Sequence, residues 1–309
     1  MKEIKNSWCH HTIDFWMGCT PVRDECEGCY ARETMESQKQ NFGILRLTQN
    51  PWLEAELINA RAHARGRYEM VLTCSTSDFF HEQADPWREE AWDVMRRCRN
   101  LIWLILTKRP ERFHDFRPEG WDEGRGYPHV WLGTTCGAPK SYDRVDRLRE
   151  IPCTLRFLSC EPLTQDISTI DLKDINWVVC GGMFGKPSKT NKMELQWAAS
   201  LYETAKNANV PFFFKQVSHN KPDQGINALE LYLSDQSENL ADPESADCFR
   251  RYPKVVGLPM IPPTIEGSRL SQAELEKYMK PSIVRNVKQK NEPAVHEPES
   301  ASTAQQQAE

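Results

Sequence analysis

Three cysteines fall within eleven positions of the chain, Cys19, Cys26 and Cys29, in the stretch GCTPVRDECEGCYARE. Three thiols are one short of a closed zinc site and an odd number for disulfides. As thiolates they can hold three irons of a [4Fe–4S] cluster and leave the fourth iron open for a substrate or cofactor. Two other chemistries use the same residue types. Structural zinc would draw a fourth ligand from Cys9, His10 or His11, and dithiol chemistry would use the Cys26-Glu-Gly-Cys29 pair alone. The sequence holds eleven cysteines in all. Cys74, Cys98, Cys136, Cys153, Cys160 and Cys180 lie in or beside apolar runs, where a free cysteine behaves as a small buried hydrophobe.

Other polar and small residues recur just after apolar runs: Ser75, Thr76, Ser77 and Asp78; Thr107, Lys108 and Arg109; Thr134 and Thr135; Ser159 and Glu161; Gly181 and Gly182; Lys215 and Gln216. The runs are 69–76, 101–110, 129–136, 154–163, 176–182 and 210–216. They are nearly continuous rather than alternating, the pattern of parallel strands buried on both faces. Amphipathic segments at 85–100, 140–151 and 193–209 lie between them. With 12–19 as the first strand, this order predicts roughly seven strand–helix units, an α/β chain folded as a complete or partial parallel (β/α) barrel. An open doubly wound sheet is the alternative. In both, the ligand site forms at the carboxyl ends of the strands. The polar residues collect there, and Cys19 follows the first predicted strand.

The 309 residues, 39% of them hydrophobic and 27% charged, suit one large globular domain with additions. A net charge of −5 gives no overall attraction to nucleic acid, although a local basic channel is compatible with it. No apolar run reaches membrane-spanning length. The first sixteen residues lack the apolar core and small-residue cleavage site of a signal peptide. The expected location is therefore the cytoplasm, where thiols stay reduced. The strand–helix pattern covers 1–217, and 218–280 read as a C-terminal extension. That extension includes a proline-rich wrap at 258–267 and a serine-started helix at 269–280. Residues 281–309, rich in Lys, Glu, Pro and Gln, read as a disordered tail.

Seven motifs occur in order: WMGCTPVRDECEGCYA, STSDFFHE, LTKRPERF, VWLGTT, IPCTLRFLSCEPL, INWVVCGG and VPFFFKQ. Together they resemble the phage-associated radical S-adenosylmethionine (SAM) family over about residues 7 to 217. That family has the same wide first spacing, CxxxxxxCxxC, instead of CxxxCxxC. The resemblance implies that Cys19, Cys26 and Cys29 hold a [4Fe–4S] cluster whose open iron binds the amino and carboxylate groups of SAM. One electron passed to the sulfonium then yields a 5′-deoxyadenosyl radical that takes hydrogen from the substrate. A partial barrel of the radical SAM type, the cytoplasm of a bacterial host, and a reductant such as flavodoxin or ferredoxin are implied with it. Two stretches depart from the family pattern. GGMFG (181–185) stands where members often carry a Gly-Gly-Glu-Ser-Gly-like turn, and GTTCGAPKSYDRV (133–145) replaces a more polar Val-Glu-Asn-type stretch. Cluster and barrel are expected to survive these changes, with the substrate pocket rebuilt.

On the same resemblance, Ser75, Ser77 and Asp78 lie where radical SAM folds place groups for SAM's amino end. Lys108 and Arg109 could pair with SAM's carboxylate or a nucleotide phosphate, or bridge to Glu111 or another acid. Gly181 and Gly182 would let backbone approach adenine closely, although a tight turn needs them equally. Glu161 could hold a ribose hydroxyl or an amine, or fix its own loop. Lys215 either meets a ligand or snorkels past its apolar strand. Cys160 could give a hydrogen atom to a product radical, or be a buried structural thiol. The expected function is isomerisation of an amino-acid adduct on thymine in viral DNA, from nitrogen to carbon linkage, by which a phage evades host nucleases. A radical lyase or repair enzyme on nucleobases is the second reading. A zinc-stabilised nucleic-acid binder is the reading from another class; it needs basic surfaces interleaved with aromatics, which the net charge does not favour.

Overall fold

The structure, a computed structural model, describes residues 8–121, 125–236 and 249–253. In chain order the first half holds β1 (His11–Ile13), β2 (Trp16–Met17), α1 (Tyr30–Ser37), β3 (Arg46–Leu47), α2 (Pro51–Ala64), β4 (Glu69–Thr73), α3 (Asp85–Arg97) and β5 (Leu101–Thr107). There follow β6 (Val130–Thr135), α4 (Tyr142–Arg149), β7 (Arg156–Cys160), β8 (Trp177–Gly181), α5 (Leu195–Asn207), β9 (Phe212–Gln216) and α6 (Ala228–Gln236). Seven strands form one sheet in the order β1-β4-β5-β6-β7-β8-β9, every neighbouring pair parallel. The sheet curls into a half-barrel. Its order never reverses along the chain, whereas a doubly wound sheet reverses at a switch point. That topology excludes the alternative.

Strand alternation sorts the apolar residues onto two faces. Val71, Trp103, Ile105, Val130, Leu132, Leu158 and Val178 pack with α3, α4 and α5 in the main core. On the opposite, concave face, Trp131, Phe157, Trp177 and Phe213 form an aromatic layer with Trp8 beside them. Room for this layer is made at Gly133, where a Cβ would stand 2.4 Å from the Phe157 ring. Runs buried on both faces are why the strand segments read as continuous apolar stretches.

Two expectations change. The stretch 12–19 is not one strand. Only His11–Ile13 joins the sheet, and Trp16–Met17 pairs antiparallel with Arg46–Leu47 in a separate two-stranded ribbon. Between them Phe15 and Trp16 turn into the core, fully buried. Second, the strand–helix repeat is incomplete. β5 is followed by a 3-10 turn at Pro110–Asp115, and no α-helix lies between β7 and β8. The start of the extension after 217 packs on the barrel. Leu229 of α6 and Phe249 belong to the main core, Arg250 bridges antiparallel to Phe213, and the Trp177 indole donates to Arg251 O at 3.0 Å. The expected wrap, terminal helix and tail (258–267, 269–280, 281–309) lie outside the described residues. No helix among the described residues is long and apolar enough to cross a membrane.

Candidate functional site

A cavity of about 210 Å³ opens at the carboxyl edge of the half-barrel, and Cys19, Cys26 and Cys29 all stand on its wall. All three are free, partly exposed thiols. The chain reaches them through Gly18 at φ +102°, where a Cβ would lie 2.8 Å from Ile44 O. Only glycine fits that approach. Cys19 N donates to Phe42 O at 2.8 Å, Cys26 closes the short 3-10 turn Asp24–Cys26, and Cys29 is the residue before α1. Residues 20–28 are held from outside by α4 and the turn before it. Arg23 pairs with Asp143, Lys140 with Asp24 at 2.6 Å, and Arg144 with Glu25. The last pair is buried, 3% exposed on each side. The segment 139–144, within the stretch that departs from the family pattern, thus anchors the cysteine loop.

From inside, Arg109 does the same. It is 5% exposed. Its guanidinium donates to Thr20 O and Thr20 Oγ1, both at 3.0 Å, lies 3.8 Å from Cys19 Sγ, and pairs with Asp78 at 3.2 Å. His81 joins the group. Its Nδ1 accepts from Gln83 N at 3.1 Å, which leaves Nε2–H to donate to Thr20 Oγ1 at 3.0 Å. Burial lowers the His81 pKa, with Arg109 adding to the effect, so the ring stays neutral in that tautomer. Burial also pushes the Cys19 thiol up to about 11, assisted by Asp78 and opposed by Arg109. A coordinating metal would deprotonate such a thiol outright, and the Arg109 guanidinium would then face the negative charge.

Several candidates are occupied within the protein. The Asp78 carboxylate accepts from Thr107 Oγ1 (2.6 Å), Phe80 N (2.9 Å) and Lys108 N (2.8 Å) besides pairing with Arg109. Ser75 Oγ donates to Asp14 Oδ2 at 3.2 Å, and Ser77 Oγ donates to Gly18 O. These three residues hold β1, β4 and β5 ends together. Arg109 bridges to Asp78 and Glu82, not to Glu111. Gly182 lines the cavity, but a Cβ there would meet Ser218 N at 2.2 Å, so its bareness serves the crossing of Val217–Ser218. A Cβ on Gly181 would crowd Glu161 Oε2 at 3.2 Å. Cys160 is fully buried in the helix-side core and does not line the cavity; its thiol is pushed well up by burial. Of the two expected roles, its position fits the buried structural thiol.

Lys108, Glu161 and Lys215 remain on the cavity wall. Lys215 pairs with Glu161 at 2.7 Å, while Lys108 has no ion pair among the described residues. Tyr30 closes one side, its hydroxyl donating to Ser75 O at 2.6 Å and its ring packed on Phe184 at 4.5 Å.

The chain matches, over residues 3–295, the family described as "Protein of unknown function (DUF5131)". The chain belongs to this family. No curated protein and no solved structure matches it. The family description names no activity, and the donor set carries the chemical reading. Among the described residues no group of three or more His, Cys, Asp or Glu is placed to hold a metal ion. The three residues expected as a fourth zinc ligand each have other contacts. His10 Nδ1 accepts from Met70 N at 2.8 Å, His11 pairs with Glu69 at 2.5 Å, and Cys9 is buried in the concave core. A single zinc needs every sulfur about 2.3 Å from one point. A cluster takes each thiolate on a different iron, and three free thiols on one cavity wall are a donor set suited to it.

Proposed function

We propose that this protein is a radical SAM enzyme. The observation that supports this most directly is the presence of three unpaired thiols on the wall of one cavity, at the carboxyl edge of a parallel half-barrel. Cys19, Cys26 and Cys29 would hold a [4Fe–4S] cluster, and the half-barrel would be of the radical SAM type. When bound, cluster and SAM together supply a carbon radical able to take hydrogen from an unactivated carbon. The chain's own residues do the rest. Arg109, Thr20 and His81 fix Cys19; α4 fixes the loop carrying Cys26. Tyr30 and Phe184 shield one side of the cavity from water. Lys108 offers an unpaired cation to a phosphate or carboxylate.

For the substrate we favour an amino-acid adduct on thymine in viral DNA, isomerised from nitrogen to carbon linkage, in a bacterial host's cytoplasm with flavodoxin or ferredoxin as reductant. A base inside a duplex is shielded by stacking, so the nucleotide is flipped out or taken from a single strand at a cost of a few kcal/mol. The test is anaerobic reconstitution followed by iron and sulfide analysis and EPR with and without SAM. About four irons per chain and a SAM-dependent spectrum support the proposal; stoichiometric zinc without iron rejects it. Incubation with SAM, reductant and adduct-bearing DNA, read by nucleoside mass spectrometry, tests the substrate through an isomer of unchanged mass.

A further inference from the structure

We infer that the Glu161–Lys215 pair on the cavity wall is a subsite for a zwitterionic α-amino-acid group, Glu161 receiving its ammonium and Lys215 its carboxylate. Taking that group to be the substrate's rests on the function proposed above. Each side chain is only 13% exposed, yet the pair is not saturated. The lysine ammonium has three donors, and one is used on Glu161 Oε2. Glu161 Oε1 has the Ser159 hydroxyl at a long 3.5 Å. Trp8 lines the same cavity, 2% exposed, and its buried indole N–H has no partner among the described residues. Lys215 Nζ lies 5.8 Å from the centre of its ring. Two buried charges offset the cost of leaving water only when their remaining donors and acceptors are also met. A lone cation would be repelled by Lys215 and a lone anion by Glu161. A ligand bearing both charges meets every open group at once. Its carboxylate takes the spare Lys215 donors and the Trp8 N–H, and its ammonium takes Glu161 Oε1. The methionyl end of SAM carries the same pair of charges, so the experiment must separate the two sources.

Equilibrium dialysis of the anaerobic, cluster-loaded full-length protein without reductant does so. The probe is thymidine carrying N-linked glycine on its 5-methyl carbon, compared with its methyl ester, its N-acetyl form and free N-methylglycine. The zwitterion is expected to bind at least tenfold more tightly than either blocked form, with SAM present at saturation. Lys215→Met should abolish the preference over the methyl ester. Because it leaves Glu161 without its partner and can unfold the chain, Gly181→Ala is the second variant. It keeps both charges, crowds Glu161, and should weaken the zwitterion severalfold more than the N-acetyl form, which has no ammonium to lose. Equal binding of the zwitterion and both blocked forms overturns the subsite, as does a preference untouched by both variants. Displacement of the probe by SAM overturns its assignment to the substrate. If N-methylglycine shows the full charge dependence and thymidine adds nothing, the subsite stands and the DNA reading fails.

Discussion

At Asp78 a single carboxylate receives Thr107, two backbone amides and Arg109, and Arg109 in turn holds Thr20 and Cys19. Asp78→Asn keeps an acceptor but strips the buried guanidinium of its nearest counter-charge. We expect a loss of about 3 kcal/mol in urea unfolding, together with lower iron content. A residue that merely touched SAM would leave stability unchanged. Cys19→Ala, Cys26→Ala and Cys29→Ala should each abolish iron and sulfide uptake. Cys98→Ala should leave it intact, since Cys98 is 1% exposed inside the main core and burial pushes its thiol up. Iron retained after any of the first three changes would count against the cluster. The cysteines were legible because their spacing is local. The roles of Arg109, His81 and Asp14 were not, because Arg109 meets Thr20 across 89 residues and His81 meets it across 61. Such pairings exist only once the sheet brings its edge together.

Among the elements, the loop anchors divide by burial. Lys140–Asp24 is exposed at 44% and 78%, and water screens such a pair almost completely. Glu25–Arg144 is buried, and removing one partner strands a buried charge. Arg144→Ala should therefore destabilise by about 3–5 kcal/mol, and Lys140→Ala far less, both read from denaturant midpoints. In β6, Gly133→Ala should cost about 1–3 kcal/mol by overpacking the Phe157 ring. Six strands were readable as apolar runs because each is buried on both faces. α2 was not, for its buried positions include Glu56 and Asn59 besides Ala55, Ile58, Ala60 and Ala62. Glu56 is paired with Arg97 and Asn59 Oδ1 accepts from Asn100 N. A helix whose buried side carries polar groups shows no clean stripe. The first strand misled because apolar residues 13 and 15–17 serve two different sheets and the core.

Over the whole molecule, His129 and Glu69 both contribute to the response to acid. His129 is buried and donates from Nε2 to Met95 O at 2.8 Å; burial lowers its pKa from 6.5 to about 4. Unfolding frees the ring to take a proton, so stability falls as pH drops from about 6.5 to 4, by about 3 kcal/mol in total. Burial opposes ionisation of Glu69, but hydrogen bonds from His11, Arg67 and Arg65 outweigh it and bring its pKa from 4.5 to about 2. Its contribution is present above pH 4.5 and is lost as pH falls toward 2. Urea unfolding across that range should show both declines, and His129→Asn should flatten the upper one. A wild-type curve level from pH 6.5 to 4 would contradict the assignment.

Beneath the cavity the concave face is filled by Trp131, Phe157, Trp177 and Phe213, with Trp8 alongside. Among the described residues that end is packed shut, so a cofactor and substrate of the proposed reaction would share the opening at the carboxyl edge. Traffic through one doorway runs last in, first out. The ligand seated deeper must arrive before the other and wait for it to leave. A stopped-flow chase should therefore find the first-bound ligand dissociating more slowly once the second is present, while equal off-rates from binary and ternary complexes would mean a second exit.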